Sequence, residues 1–458
     1  MMLSKCINKV IILLVFLLIT GCQKVIEGNL IIKNVNIINV ENGNIIEGQD
    51  IIIIHNTIAE IIPHNLSTNY SAKTMIDGTN KYVIPGIFDG HTHVNNYKND
   101  LAKFIHYGVT SIFVTGGSTC TNQYYAEMRA MGTQDSLPSP RIFHTSQHFI
   151  KQGSHPVKTY ANSSWKEGET VFYLKDTLQI ERLVKKVSQY PIEGIKLTIE
   201  DGPDPPFVER LSQSFISKVQ KEAEKHDTRV FVHVSDNEEL KMALDAGIYN
   251  FVHFTGVDLD FEKDTLLLKK IYGNPINWIT TLMLDKSFMY PLYPEWIDKI
   301  RKEGVFNIES IEKVNDSTYI KRAHINNALM KDYLKLDTIT IKDVVKFQVD
   351  DIKRLQKNDV NMVLGTDTGN AFIFPGYSLH EEMQLFELGG MAPKDILKMG
   401  TINAAIMLGR DDTLGSIDIG KYADLILLDK NPIENIKNTR SIQMVIKNGK
   451  IQKRMKEK

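Results

Sequence analysis

The sequence predicts an α/β protein in which a (β/α)8 TIM barrel is joined to a small β-sandwich formed from both chain ends. Three features predict this fold. The middle of the chain alternates short apolar runs with helical patterns, both ends are rich in Ile and Val between turn residues, and the chain has 458 residues. A barrel of this type takes roughly 250 residues or more, which leaves room for a smaller unit.

Composition excludes several classes of protein. Hydrophobic residues make up 42% and charged residues 24% of the chain, which is typical of a globular protein and not of a disordered, collagenous or polytopic membrane protein. The 54 basic and 55 acidic side chains nearly cancel, so no charge excess favours nucleic acid as a partner. The 3 cysteines are too few for a disulfide framework.

Between residues 81 and 409, eight strand candidates alternate with helical patterns, as in a (β/α)8 barrel. The candidates are Tyr82–Phe88, Thr110–Thr115, Arg141–His144, Gly194–Thr198, Val230–Val234, Asn250–Phe254, Ile276–Thr281 and Asn361–Gly365. An apolar stripe from Ile341 to Leu355 has a period of 3.6 residues and predicts a helix before the last strand. The competing fold, a doubly wound open sheet, requires a Gly-rich phosphate loop after the first strand, and the sequence has none there.

Two further kinds of segment complete the predicted domain organisation. Residues 22–80 and 410–458 carry short Ile/Val-rich strands and turn signals, and we expect them to form the two parts of the β-sandwich. Residues 285–338 make the connection between the seventh and eighth strands unusually long. We interpret them as an insertion in the barrel that could act as a lid over its mouth.

Residues 1–21 are predicted to be a signal peptide. Lys5 and Lys9 flank an apolar run that is too short to span a bilayer comfortably. The run ends in Gly21-Cys22, which resembles a bacterial lipobox; the alternative is a membrane-anchor helix that happens to contain Cys22. We expect Cys22 to be lipidated, so that the chain is held at the bacterial cell envelope, on its periplasmic or outer-membrane face, by a lipid anchor only.

Five potential metal ligands stand at the carboxyl ends of predicted strands, where the functional residues of barrels lie. They are His91, His93, His233, His253 and Asp367. Alternate residues of an extended segment face the same way, so the first two imidazoles can meet one cation. Four imidazoles and a carboxylate are a ligand set for zinc or a similar divalent ion.

Each of these residues also has an ordinary structural alternative. A single histidine at a strand end is more often a hydrogen-bonded core or rim residue. A bare His-x-His pattern is a weak signal, and Asp367 could be a turn residue before Gly369. The coincidence of five such residues at strand ends favours the metal site.

The segment Gly86-Ile87-Phe88-Asp89-Gly90-His91-Thr92-His93 resembles the strand-one signature of the amidohydrolase superfamily. His233, His253 and Asp367 match its ligands on strands five, six and eight. Residues 401–405 and 415–425 resemble its last barrel helix and its return into the β-sandwich. The resemblance is greatest to the binuclear branch, which includes proteins similar to imidazolonepropionases and the metal-dependent dipeptidases related to them.

The resemblance implies a centre with two divalent metal ions, for which we expect Zn2+. Lys196 matches the lysine that reacts with CO2 in the binuclear members, where the carbamate bridges the two ions. One ion would be held by the carbamate, His91, His93 and Asp367, and the other by the carbamate, His233 and His253. The alternative is a lysine that extends to solvent at the barrel rim.

The resemblance also implies a reaction, in which a metal-bound hydroxide attacks the carbonyl of a small-molecule substrate. Asp367 would be the catalytic residue that passes the proton to the leaving nitrogen. His155 aligns with a histidine near the substrate and is the candidate substrate-binding residue. Arg141, Lys151 and Lys158 fall near the predicted end of the third strand and could bind a substrate carboxylate.

These features predict a hydrolase that cleaves an amide bond, in a small dipeptide or an N-acyl amino acid. A cyclic-amide hydrolase or a deaminase of the same superfamily is the alternative. Lys196 disfavours the deaminase because the mononuclear deaminases lack this lysine. A non-catalytic binding lipoprotein is a third interpretation, although such a protein would not need the complete ligand set. The sequence leaves the formation of a homo-oligomer open.

Overall fold

The computed structural model describes residues 25–135, 137–158, 163–200 and 209–455. The predicted signal peptide, residues 1–21, and the predicted lipidation site, Cys22, lie outside these ranges. Within them, no helix is both long enough and apolar enough to cross a bilayer.

Strands from both chain ends share one eight-stranded sheet. The strands are β1 (Val25–Ile38), β2 (Ile45–Ile54), β3 (Thr57–Pro63), β4 (Asn69–Asp77), β5 (Tyr82–Pro85), β15 (Leu425–Leu428), β16 (Ile442–Lys447) and β17 (Lys450–Ile451). Their order in the sheet is β17-β16-β15-β5-β1-β2-β3, and β4 also pairs with β1. Strand β5 joins the two ends of the chain because it pairs with β1 on one side and with β15 on the other.

Eight parallel strands form a nearly closed barrel, which confirms the predicted fold class. They are β6 (Ile87–Thr92), β7 (Val109–Val114), β8 (Arg141–Ile150), β10 (Gly194–Thr198), β11 (Val230–His233), β12 (Asn250–Val252), β13 (Asn277–Ile279) and β14 (Asn361–Val363); β9 (Val171–Tyr173) pairs with β8. The first and last strands meet where the Gly90 N–H donates to the Leu364 carbonyl at 2.8 Å.

Helices follow most of the barrel strands. They are α1 (Tyr97–His106), α2 (Asn122–Gly132), α3 (Thr177–Val187), α4 (Gln213–Glu224), α5 (Asn237–Asp245), α6 (Thr265–Tyr272), α7 (Met283–Met289), α8 (Pro294–Glu303), α9 (Ile308–Glu312), α10 (Ser317–Leu334), α11 (Ile341–Gln356), α12 (Tyr377–Leu388), α13 (Pro393–Met399) and α14 (Ile402–Leu408), with 3-10 turns at Tyr290–Leu292, Lys313–Asn315 and Ile436–Arg440. The predicted apolar stripe forms α11, which begins with a reciprocal cap between Thr340 and Asp343.

The alternation of side chains along β5 and β15 joins the terminal sheet to the barrel. Val83 and Leu425 point into the core of the sheet itself, whereas Ile84 and Ile426 belong to the core shared with the barrel. Because both faces of these strands are apolar and buried, the two parts of the chain pack as one hydrophobic structure.

The run Tyr82–Phe88, which we predicted as one strand, is two strands of different sheets. Tyr82–Pro85 is β5 of the terminal sheet, and the first barrel strand starts at Ile87. The chain crosses between the sheets at Gly86, where a Cβ atom would collide with the Thr110 side chain. Pro85-Gly86 is a dipeptide typical of turns and marks this crossing in the sequence, but apolar residues on both sides of it led us to predict one strand.

The amino-terminal end of the barrel is filled and closed. Large apolar side chains from several strands form one buried cluster with helix α14: Phe88, Phe113, Phe231, Val252, Ile279, Val363, Ala404, Ala405, Met407 and Leu408. This packing leaves the carboxyl ends of the strands as the end of the barrel that can hold a site.

The contact between the barrel and the terminal sheet includes a largely buried ion pair. The Arg141 Nε donates to Asp424 Oδ2 at 2.7 Å, and the Asn448 N–H donates to Asp424 Oδ1 at 2.7 Å. The Arg141 side chain is 19% exposed and that of Asp424 only 3%. Removing one partner of such a pair leaves the other charge without compensation in a dry environment.

We therefore predict that Asp424→Ala lowers the free energy of unfolding by about 3 kcal/mol. The control is Lys450→Ala, which removes an exposed ion pair to Asp135 and should cost less than about 1 kcal/mol. Thermal unfolding followed by circular dichroism measures both. Equal Tm values for the two variants would contradict the role assigned to Asp424.

Candidate metal centre

A cavity of about 1200 Å³ opens at the carboxyl ends of the barrel strands. Its floor carries the strand-end residues His93, Lys196, His233, His253 and Asp367. Helices α7, α9 and α10 of the long connection before β14 line its outer part. The predicted site residues and the predicted insertion thus face the same space.

Three predicted ligands form a first group, consisting of His91, His93 and Asp367. Both Nε2 atoms approach Asp367 Oδ1, at 3.2 Å from His91 and 3.1 Å from His93. On the far side of the rings, His91 Nδ1 lies 2.8 Å from Thr115 Oγ1 and His93 Nδ1 lies 2.8 Å from the Gly116 carbonyl. These outer partners turn both Nε2 atoms towards the shared carboxylate.

Burial alone would raise the pKa of Asp367, but the two neighbouring imidazoles outweigh burial and hold that pKa well below its usual range. Asp367 also has a backbone φ of 65°, a left-handed conformation that costs energy for a residue other than glycine. The strand end is therefore held in one strained conformation that presents a carboxylate to His91 and His93.

Asp89 fixes the backbone of the first group, although the sequence did not single it out as a functional residue. It accepts hydrogen bonds from Thr366 N–H at 3.0 Å and Thr366 Oγ1 at 2.7 Å, and from the His91 N–H at 3.3 Å. Since Thr366 follows β14 and His91 belongs to β6, this buried carboxyl joins the two strands that carry the group.

A second group consists of His155, Glu200 and His233. Glu200 Oε2 lies 3.2 Å from His155 Nε2 and is in closer contact with His233 Nε2. Glu200 was not among the predicted site residues. His155, predicted to bind substrate, lies in this group; it packs against His233 with ring centroids 5.4 Å apart.

His253 lies between the two groups. Its ring centroid is 4.7 Å from that of His91 and 4.2 Å from that of His233. Its Nδ1 lies 2.9 Å from Thr281 Oγ1, and the Thr281 N–H donates to the buried Glu382 carboxyl. Glu382 therefore positions His253 through one intermediate residue, a relation that no sequence pattern indicates.

Lys196 is 1% exposed, and its Nζ has no hydrogen-bond partner in the described residues. Burial lowers the pKa of Lys196 to about 7, against the opposing effect of the Asp367 and Glu200 carboxylates. A large fraction of this amine is therefore neutral at neutral pH. Lys196 does not extend to solvent at the rim, which was the alternative considered from the sequence.

The donor set fits divalent cations. Asp367 Oδ1 and Glu200 Oε2 are buried and make no hydrogen bond of acceptable geometry in the described ranges, although imidazole Nε2 atoms surround both. Burial lowers the pKa of His91, His233 and His253 well below the usual range, so the rings are neutral and can donate lone pairs. Buried carboxylates and imidazoles that converge in this way are typical of metal ligands.

Not every predicted residue reaches the cavity. Arg141 stands at the start of β8, at the opposite end of the barrel, where it binds Asp424; the expectation that it binds substrate is wrong. β8 extends to Ile150, well beyond the predicted end at His144, so residues near 141 cannot lie at its carboxyl end. Lys151 is paired with Glu209 on the surface.

His148 is a further residue of the site, and the sequence analysis did not propose it. It is 5% exposed and lines the cavity, its Nδ1 lies 3.1 Å from Thr198 Oγ1, and its Nε2 has no partner among the described residues. His148 faces the cavity because it is the direct partner of Lys196 in the pairing of β8 with β10. Burial lowers its pKa well below the usual range.

One protein family matches most of the chain. The model of the amidohydrolase family matches residues 82–452. The 5-methylthioadenosine/S-adenosylhomocysteine deaminase of Caldanaerobacter subterraneus subsp. tengcongensis is 22% identical over 453 residues, which cover 88% of this chain and 85% of that protein.

Solved structures share the fold. An Xaa-Pro dipeptidase with methionine bound in its active site has a TM-score of 0.68 at 20% identity, covering 92% of this chain and 99% of that chain. The ochratoxinase of Aspergillus niger has a TM-score of 0.64 at 19% identity, covering 92% and 95%. The matched family model, which spans most of the chain, shows that this protein belongs to the amidohydrolase family and is an enzyme that acts on carbon–nitrogen bonds of small molecules.

Proposed function

We propose that this protein is a binuclear metal-dependent hydrolase that cleaves the amide bond of a dipeptide or an N-acyl amino acid. The observation that carries the proposal is the buried amine of Lys196, which lies within electrostatic reach of Asp367 in the first group and Glu200 in the second. Among the described residues the Lys196 amine has no hydrogen-bond partner, and burying a polar group in this way is costly unless the amine is modified.

Modification by CO2 removes that cost. The neutral amine of Lys196 adds to CO2, which forms an N–C bond and releases one proton, and the product is a carbamate with two oxygen ligands. The carbamate, His91, His93 and Asp367 would hold one cation, and the carbamate, His233 and His253 the other. For this mixture of imidazole and oxygen donors Zn2+ is the ion we propose.

Bound divalent cations polarise a substrate carbonyl and lower the pKa of water. Asp367 remains ionised because its pKa is held low, so its carboxylate can accept the proton of the attacking water. The new C–O bond forms first, Asp367 then gives the proton to the leaving nitrogen, and the C–N bond breaks. Asp89 and Glu382 keep the surrounding ligands in place during these steps.

The outer cavity favours a substrate with a bulky apolar group and a carboxylate. Aromatic side chains line it on several sides, namely Phe288, Phe306, Tyr319, Phe372 and Phe374. The Arg322 guanidinium from α10 lies 4.8 Å from the centroid of the Phe288 ring and also faces the cavity. An arginine next to an aromatic surface suits the carboxylate and side chain of an amino acid derivative.

A deaminase is the second candidate, and the curated deaminase that matches 88% of the chain favours it. A cyclic-amide hydrolase uses the same chemistry on a ring. Lys196 supports the binuclear hydrolase instead, because the resemblance associates this lysine with the binuclear members and not with the mononuclear deaminases. A purely binding role would require neither the neutral Lys196 amine nor the convergent ligands.

We predict that Lys196→Ala lowers kcat/KM by at least about 100-fold, since the ligand that fixes the two cations relative to each other is lost. Wild-type activity in CO2-depleted buffer should rise when bicarbonate is added, and the variant should not respond. Lys166→Ala, an exposed lysine outside the cavity, is the control. Full activity of Lys196→Ala would contradict the carbamate.

A second prediction concerns recognition of the substrate carboxylate. Arg322→Ala should lower kcat/KM for N-acyl amino acids about 100-fold and should barely affect the matching C-terminal amides, whereas Lys321→Ala on the exposed side of α10 should leave both unchanged. Hydrolysis rates for acids and amides, with nucleobases and cyclic ureides as alternative substrates, test this. Ammonia release from a nucleobase with inert dipeptides would favour the deaminase instead.

We also propose that Cys22 carries lipid and that the enzyme acts at the bacterial cell envelope. The positive flank, short apolar run and Gly21-Cys22 support this location. A Cys22→Ser variant should keep its leader or leave the membrane fraction, as measured by mass spectrometry of the amino terminus and by fractionation. Wild-type protein found in the cytoplasm with Met1 intact would contradict the proposal.

A further inference from the structure

Three neighbouring barrel strands bring His155, Glu200 and His233 together. His233 ends β11, Glu200 follows β10, and His155 follows β8. Thr198 of β10 is directly paired with His233, so Glu200, two residues further on, extends past that pairing on the same face. The ligand atoms of all three residues lie within 4.8 Å of one another.

Glu200 is a buried carboxyl group with two imidazoles beside it. The residue is 3% exposed, and its Oε2 makes no hydrogen bond of acceptable geometry in the described part of the chain. His155 is 6% exposed and directs Nε2 to within 3.2 Å of that oxygen. A buried carboxylate is costly unless paired, and two imidazole nitrogens placed around it complete a three-donor cradle for a cation.

The position of Glu200 differs from that of the ligands predicted for the second cation. The resemblance assigns that cation to the Lys196 carbamate, His233 and His253. Glu200 and His155 reach His233 from the opposite side to His253, because they come from β10 and β8 and His253 comes from β12. Glu200 thus places a carboxylate beside His233, and this carboxylate does not depend on CO2.

We propose that Glu200 is a metal ligand and that Glu200, His155 and His233 hold a divalent cation when Lys196 is not carboxylated. This site keeps a cation in the barrel when CO2 is scarce, and its carboxylate competes with the carbamate for the same ion. The inference concerns cation binding and holds whichever carbon–nitrogen bond the enzyme cleaves.

The test uses the full-length protein in a Lys196→Ala background, in which no carbamate can form. Metal-free protein is titrated with Co2+ in CO2-depleted buffer, and bound ions are counted by elemental analysis and by the visible absorption of bound Co2+. We expect about two ions per chain for Lys196→Ala and for Lys196→Ala with Glu209→Gln, an exchange at an exposed glutamate. The double variant Lys196→Ala with Glu200→Gln should bind only about one ion per chain.

A second variant protects the test against misfolding. Lys196→Ala with His155→Asn should also lose one ion, and circular dichroism should show that each variant keeps the fold. Equal ion counts with and without Glu200→Gln would overturn the inference. A single bound ion in Lys196→Ala itself would also overturn the inference, because the second cation would then require the carbamate. That result would not contradict the proposed amide hydrolase, which is tested separately by the activity of Lys196→Ala.

Discussion

The desolvation of one amine, that of Lys196, is the constraint on which the rest of the site depends. A charged lysine inside a barrel would be expelled or neutralised, and here burial brings its pKa to about 7 without a hydrogen-bond partner in the described residues. The same dry environment keeps the surrounding imidazoles neutral. The ligand properties of the histidines and the reactivity of Lys196 thus follow from one property, the burial of these groups at the barrel end.

That burial results from packing on both sides of the site. Below it, the cluster around Phe113 and Phe231 fills the barrel and helix α14 closes it. Above it, the helices of the long connection before β14 surround the cavity. Outer partners such as Thr115, Thr281 and Glu382 then orient the histidines, so the ligand geometry is set by groups that never touch a substrate.

Alternation along strands decides which parts of this arrangement the sequence could predict. His91 and His93 were found because they share a face and belong to a recognisable segment. Glu200 was missed even though it obeys the same rule: Ile195, Leu197 and Ile199 pack outwards in the core, while Lys196, Thr198 and Glu200 face inwards. The predicted strand ended at Thr198, which removed Glu200 from the pattern. The hydrogen bond between Thr281 and Glu382 joins residues that are far apart in the sequence, so no periodic pattern predicts it.

The most direct test of the account is a crystal structure of the protein grown with Zn2+ and bicarbonate, with anomalous diffraction measured at the zinc edge. The account predicts two anomalous peaks at the carboxyl end of the barrel, one touching His91, His93 and Asp367 and one touching His233, with continuous density for a carboxyl group on Lys196 Nζ between them. A single peak beside an unmodified Lys196 would contradict it.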